Sequence, residues 1–109
     1  MLTIVELMDD LTAFQRDTLY TVASLGEPYG LAIRDELSEY YGTEVNHGRL
    51  YPNLDELAER GYLDKRRHDE RKNTYSLTEQ GRDLIVERHE WEADCILQRS
   101  RRPAPEPTA

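Results

Sequence analysis

Leu50, Leu54 and Leu57 mark one face of a helix that starts after Asn46 and stops at Gly61, and the chain leaves that helix directly into a strand. Steps of four and three residues put the three side chains on the same side. Asn46 is a natural N-cap and Gly61 a natural stop. Residues 62–68 (YLDKRRH) and 74–77 (TYSL) then change the apolar period to two, around the polar turn Asp69–Asn73, which predicts a β-hairpin. A capped helix that runs into a hairpin leaves few folds open to a chain of 109 residues. That length suits one domain with a modest core, for which dimerisation is an attractive source of further burial.

The flanking segments complete the pattern. Thr12 can cap a first helix to about Leu25, with Leu11, Phe14, Thr18, Val22 and Leu25 facing inward. The segment Gly26 to Gly30, with Pro28 in it, makes a turn. A second helix is expected from Gly30 to about Tyr40, with Ile33, Leu37 and Tyr41 on one face and Gly42 closing it. Residues 43–45 form a short link to the third helix. Beyond the hairpin, Thr78 caps a longer helix to about Gln98. The order is helix, helix, helix, hairpin, long helix. It predicts a mainly α fold with a β-hairpin, a winged helix-turn-helix plus a long C-terminal dimerisation helix. The expected division is 1–10 as an N-terminal extension, 11–77 as the winged helix-turn-helix, 78–98 as the dimerisation helix, and 99–109 as a Pro-rich, disordered tail.

The net charge of −8 argues at first against a polyanionic partner, but its distribution argues otherwise. Residues 1–59 carry twelve acids and three arginines, and residues 60–75 carry six basic residues and three acids. A single basic island falls on the hairpin. Twelve arginines stand against only two lysines. Abundant acids, scarce lysine and low hydrophobicity resemble proteins of extreme halophiles, whose acidic surfaces keep them soluble in concentrated salt.

These features fit double-stranded DNA as partner. The leucine face leaves Gly48, Arg49, Pro52 and Asn53 on the outward arc. In the major groove, Arg can bond guanine and Asn can bond adenine, each with two hydrogen bonds. Asn46, His47 and Gly48 occupy the helix start, where free N–H groups suit phosphate. Asp55, Glu56 and Glu59 keep the rear of the helix away from phosphates. Pro52 reads equally as a kink costing about 3 kcal/mol and as a device that fixes the helix start. Lys65, Arg66, Arg67, Arg71 and Lys72 are candidates to grip the backbone. Gly30 heads the second helix and can offer N–H groups to a phosphate. Acidic surface beside DNA predicts salt cations bound at that interface.

On the last helix, Leu84, Trp91 and Cys95 share a seam, with Ile85, His89 and Ile96 beside it. A small winged helix cannot cover both stripes, so Leu84, Ile85, Arg88, Trp91, Cys95 and Ile96 are the candidate homodimer interface. The apolar cluster Leu2, Ile4, Val5, Leu7 and Met8 can join it. Cys95 excludes an internal disulfide and fits a reducing cytoplasm. No membrane span, signal peptide, phosphate loop, nucleophile–base pair or metal-ligand spacing is read, so no cofactor and no enzymatic activity are expected. A winged helix used only for protein interaction is the alternative.

Residues 45–66 (VNHGRLYPNLDELAERGYLDKR) resemble the PadR-type transcriptional regulators. The shared core is Gly48, Leu50, Tyr51, Pro52, Leu54 and Leu57, with Gly61 opening the wing. YGLAI (29–33) is similar to the start of that family's second helix, with Tyr29 in place of histidine. YSLTEQG (75–81) matches the end of its wing. The segments DDLTAFQRDTLY and HGRLYPNLD look like the short haloarchaeal members. The resemblance implies a homodimeric DNA-binding regulator in which Tyr51 and Pro52 shape the recognition helix and Tyr51 touches phosphate. It also leaves room for a ligand-sensing repressor, with Trp91 as a candidate pocket wall.

Overall fold

The computed structural model describes residues 10–97. The expected extension, with its apolar cluster, and the Pro-rich tail lie outside the described residues except for Asp10. The elements are α1 (Ala13–Leu25), α2 (Gly30–Tyr41), α3 (His47–Glu59), β1 (Leu63–Arg67), β2 (Asn73–Leu77) and α4 (Glu79–Leu97). This is the mainly helical, winged helix-turn-helix order expected.

Local chemistry starts and stops each helix. Thr12 caps α1 through a reciprocal pair: Gln15 N–H donates to Thr12 Oγ1 at 3.1 Å, and Thr12 N–H donates to Gln15 Oε1 at 3.0 Å. Gly42 takes the left-handed conformation that ends α2. Asn46 caps α3 by accepting from Gly48 N–H at 2.6 Å. Gly61 turns the chain into the hairpin at φ +84°. Thr78 Oγ1 donates to the Gly61 carbonyl and accepts from Gly81 N–H, tying the start of α4 to the end of α3.

The hairpin pairs antiparallel, with Leu63 opposite Leu77, Lys65 opposite Tyr75 and Arg67 opposite Asn73. A further contact was not read from the sequence. Tyr75 N–H donates to the Pro28 carbonyl at 2.9 Å, and Tyr29 bridges Thr74. The α1–α2 turn thereby lies along the outer edge of β2 as a strand stub, covering an edge that would otherwise be unpaired.

One core joins all six elements. Leu19, Val22, Ile33, Leu50, Leu54 and Leu57 are fully buried within it. Leu25, expected to face inward, is 39% exposed, because α1 ends there and Gly26 turns the chain away. Leu84 and Ile85 are 1% and 4% exposed and belong to this core. That corrects their place in the expected dimer seam: the first half of α4 packs on its own domain, and Tyr20 anchors it by donating its hydroxyl to the Ile85 carbonyl at 3.0 Å. Further along α4, Val86, Trp91, Ile96 and Leu97 are exposed, as is Cys95. Arg88 is half-buried, with its guanidinium 4.7 Å from the Trp91 ring and an i,i+4 pairing with Glu92.

Candidate nucleic-acid interface

The front of α3 is held from two sides. On one, Arg34 of α2 donates Nε to the Val45 carbonyl at 2.9 Å, reaches His47 Nε2 at 3.3 Å and pairs with Glu44. The His47 ring stacks on Tyr51, with centroids 5.2 Å apart and planes at 12°. Tyr51 in turn lies over Gly30, where a β-carbon would approach the phenol ring and hydroxyl to 2.7 Å. Gly30, expected to offer N–H groups to a phosphate, is buried and serves as the seat of Tyr51.

On the other side, α1 supports the helix. The Arg49 guanidinium lies 4.0 Å from the Phe14 ring centroid while the residue as a whole stays exposed. Asn53 is half-buried, and its side chain is bonded within the protein, to the Arg49 carbonyl and to Gln15. It is therefore not the freely presented asparagine expected from the outward arc. Asn46, His47, Gly48 and Pro52 are exposed. Pro52 lies inside a helix that continues past it to Glu59. With no N–H at position 52, the Gly48 carbonyl has no i,i+4 donor. That acceptor sits in the exposed front turn.

The wing divides its cations into two groups. Lys65 bonds Asp55 on the acidic rear of α3 at 2.9 Å, and this hydrogen bond raises the lysine above its ordinary pKa. Arg66 lies 3.5 Å from Asp64 and 4.0 Å from Glu27. Both were expected to grip the DNA backbone, but the strand register sets one over α3 and the other over the α1–α2 turn. Arg67, Arg71 and Lys72 are exposed and form no ion pair among the described residues. The wing is braced at its base: Thr74 Oγ1 donates to Glu27 at 3.2 Å and lies 2.9 Å from His68 Nε2, and the His68 ring meets Tyr29 edge-on.

Between the start of α2, the front of α3 and the wing tip lies a groove of about 680 Å³, lined by Tyr29, Asp35, His47, Tyr51, Arg71 and Lys72 among others. Exposed cations, aromatic faces and a helix start converge on it. Sequence reasoning missed Gln15 and Arg34 and read Phe14 only as an inward-facing residue of the first helix. The one local clue was Gln15 at the third position of a Thr-capped helix. Among the described residues, no group of three or more His, Cys, Asp or Glu side chains could hold a metal ion. No helix there is long and apolar enough to cross a membrane.

Comparison with known proteins agrees with this geometry. RosR of H. salinarum, in a structure grown from NaBr, is 53% identical over 76% of this chain and 74% of its own, with a TM-score of 0.73. A complex of that RosR, in the form designated RosR-S4, is 49% identical over 83% of this chain and 77% of its own, with a TM-score of 0.78. The fold extends to Bacillus subtilis PadR in complex with operator DNA, at 23% identity over 90% of this chain and 53% of that one, with a TM-score of 0.59. No curated protein matches the chain at a significant level. The model of the transcriptional regulator PadR-like family matches residues 18–87. With a winged helix-turn-helix, a cation-bearing wing and a RosR relative at 53% identity, the chain belongs to the PadR-like family of transcriptional regulators.

Proposed function

We propose that this chain is a sequence-specific regulator that binds duplex promoter DNA as a homodimer, in the cytoplasm of a halophilic archaeon and within a stress, in particular an oxidative, response. The observation that carries the reading is the asymmetry of α3. Its front half, His47 to Asn53, carries Arg49 and no acid, whereas Asp55, Glu56 and Glu59 crowd its rear. Only the front can approach phosphates closely, and the wing adds Arg67, Arg71 and Lys72, which form no ion pair among the described residues. Arg49 reads base edges, Tyr51 and His47 approach the backbone, and the wing cations grip phosphate. The exposed end of α4, with Trp91, Cys95 and Ile96, is the surface for a second copy, which sets two recognition helices along one duplex. The RosR structures at about 50% identity support the halophilic setting.

Asp35 at the groove and the acids along the rear of α3 call for bound salt cations once DNA is in place. Affinity then falls less steeply with salt than simple counterion release requires. Genome-wide immunoprecipitation of the tagged protein, with and without oxidant, tests the reading. Discrete promoter sites sharing one motif, with occupancy that changes on oxidant addition, are the expected result. Occupancy without a motif contradicts sequence-specific regulation, and occupancy indifferent to oxidant removes the stress setting.

A further inference from the structure

Gln15 and Asn53 are 38 residues apart in sequence and meet where α1 crosses α3. Gln15 is 3% exposed, and both ends of its carboxamide are engaged. Its oxygen accepts from the Thr12 N–H, and its nitrogen donates to Asn53 Oδ1 at 3.1 Å and to Glu56 Oε2. Asn53 passes the connection on, donating Nδ2 to the Arg49 carbonyl at 2.7 Å. Phe14, the neighbour of Gln15, lies under the Arg49 guanidinium. Two adjacent side chains at the start of α1 therefore hold the two α3 residues that sequence alone marks as base readers.

Reading adenine with asparagine needs both the amide oxygen and the amide nitrogen. Here both are bonded within the protein. Turning the carboxamide to a base breaks these two hydrogen bonds, and the buried Gln15 nitrogen, which keeps Glu56 as an acceptor, is left with one N–H unpaired. We infer that Gln15 is a positioning residue for DNA recognition, and that Asn53 acts with it as a support that fixes α3 under Arg49 rather than as a base reader. The inference rests on the proposed DNA-binding reading and assigns sequence discrimination on this face of α3 to Arg49.

The test uses the full-length chain and a fully randomised duplex library, with the bound fraction sequenced. Gln15→Glu keeps an oxygen for the Thr12 N–H, and so keeps the helix cap, but removes the donor and sets a carboxylate against Glu56. Q15E and N53A are expected to bind the sequence enriched by the wild type about tenfold more weakly. Both are expected to flatten the same motif positions that R49A flattens. The double variant Q15E/N53A should bind little worse than either single variant, because each breaks the Gln15–Asn53 contact. Adding Glu56→Gln to Q15E restores a donor opposite the new carboxylate and recovers part of the binding, the Asn53 contact staying broken. A purely structural role would shift the melting temperature and the affinity for all DNA alike, leaving the motif unchanged, and that result overturns the proposal. So does an N53A variant that loses one adenine position which Q15E retains. A wild-type chain that enriches no sequence overturns the DNA-binding reading itself, a failure recognisable before any variant is compared.

Discussion

The phenol of Tyr51 rests directly on the backbone of Gly30, so close that a β-carbon there would lie 2.7 Å from the tyrosine hydroxyl. This contact joins the start of α2 to the front of α3. It also explains, in packing terms, why a glycine stands where the expected role was phosphate binding.

Gly30→Ala forces the Tyr51 ring away or shifts α3. Overpacking of this kind costs about 1–3 kcal/mol. The variant is expected to melt several degrees lower and to bind DNA more weakly than that loss alone explains. Tyr51→Phe, which keeps the ring, should keep the melting temperature and lose affinity only. Thermal unfolding by circular dichroism and fluorescence anisotropy with labelled duplex DNA, run on the same samples, check this.

The two halves of α4 should respond differently. Leu84 is in the core, so Leu84→Ala is expected to destabilise the fold by about 2–5 kcal/mol. Trp91 is 58% exposed, so Trp91→Glu should leave each domain folded while shifting the mass seen in sedimentation from dimer to monomer. A folded, fully dimeric W91E variant removes this face from the interface.

The wing cations divide by their partners. Lys65 already bonds Asp55, and an exposed ion pair of this kind contributes about 0–1 kcal/mol. Lys65→Ala is expected to change DNA affinity little. Arg71→Ala, which removes a cation with no ion-pair partner among the described residues, should weaken binding on every sequence. It should also reduce the slope of log affinity against log salt by about 0.9 if one phosphate contact is lost. Titrations at a series of KCl concentrations compare the two variants.

Alkaline pH offers a separate check on packing. Burial, together with the hydrogen bond that the Tyr41 hydroxyl donates to Asp17, pushes the Tyr41 pKa from its ordinary value of 10.0 up to about 12. The unfolded chain then loses this proton before the folded one does. The stabilisation is complete below pH 10, declines between about 10 and 12, and is gone above that. Tyr20 and Tyr75 are raised in the same direction by burial. Tyr41→Phe should therefore flatten the fall in melting temperature across that window without abolishing it.

What was legible in the sequence is what local chemistry decides. Thr12 and Asn46 cap their helices, Gly42 and Gly61 end theirs, and the switch to a period of two locates the hairpin. What was not legible depends on partners distant in the chain. Periodicity shows that Leu84 and Ile85 are covered but not by what, and α1 covers them before any second copy could. The outward arc of α3 includes Asn53, yet a glutamine 38 residues upstream engages it. Pro28 read as a turn residue, although its carbonyl completes the edge of the wing. The cations of the wing were visible, whereas the pairing of Lys65 with Asp55 and of Arg66 with Asp64 and Glu27 was not.

The front of α3 and the wing are expected to bind DNA together. Fluorescence anisotropy with a labelled duplex carrying the enriched promoter sequence, from about 0.2 to 3 M KCl, measures it directly, with unrelated duplex as competitor. The wild-type chain is expected to bind that duplex selectively, with affinity that survives the upper part of the salt range. Charge reversal at Arg49 and Arg67 together should abolish the selective binding while the protein stays folded. Binding that is unchanged by the reversal, or a wild-type chain that never prefers the promoter duplex, contradicts the account.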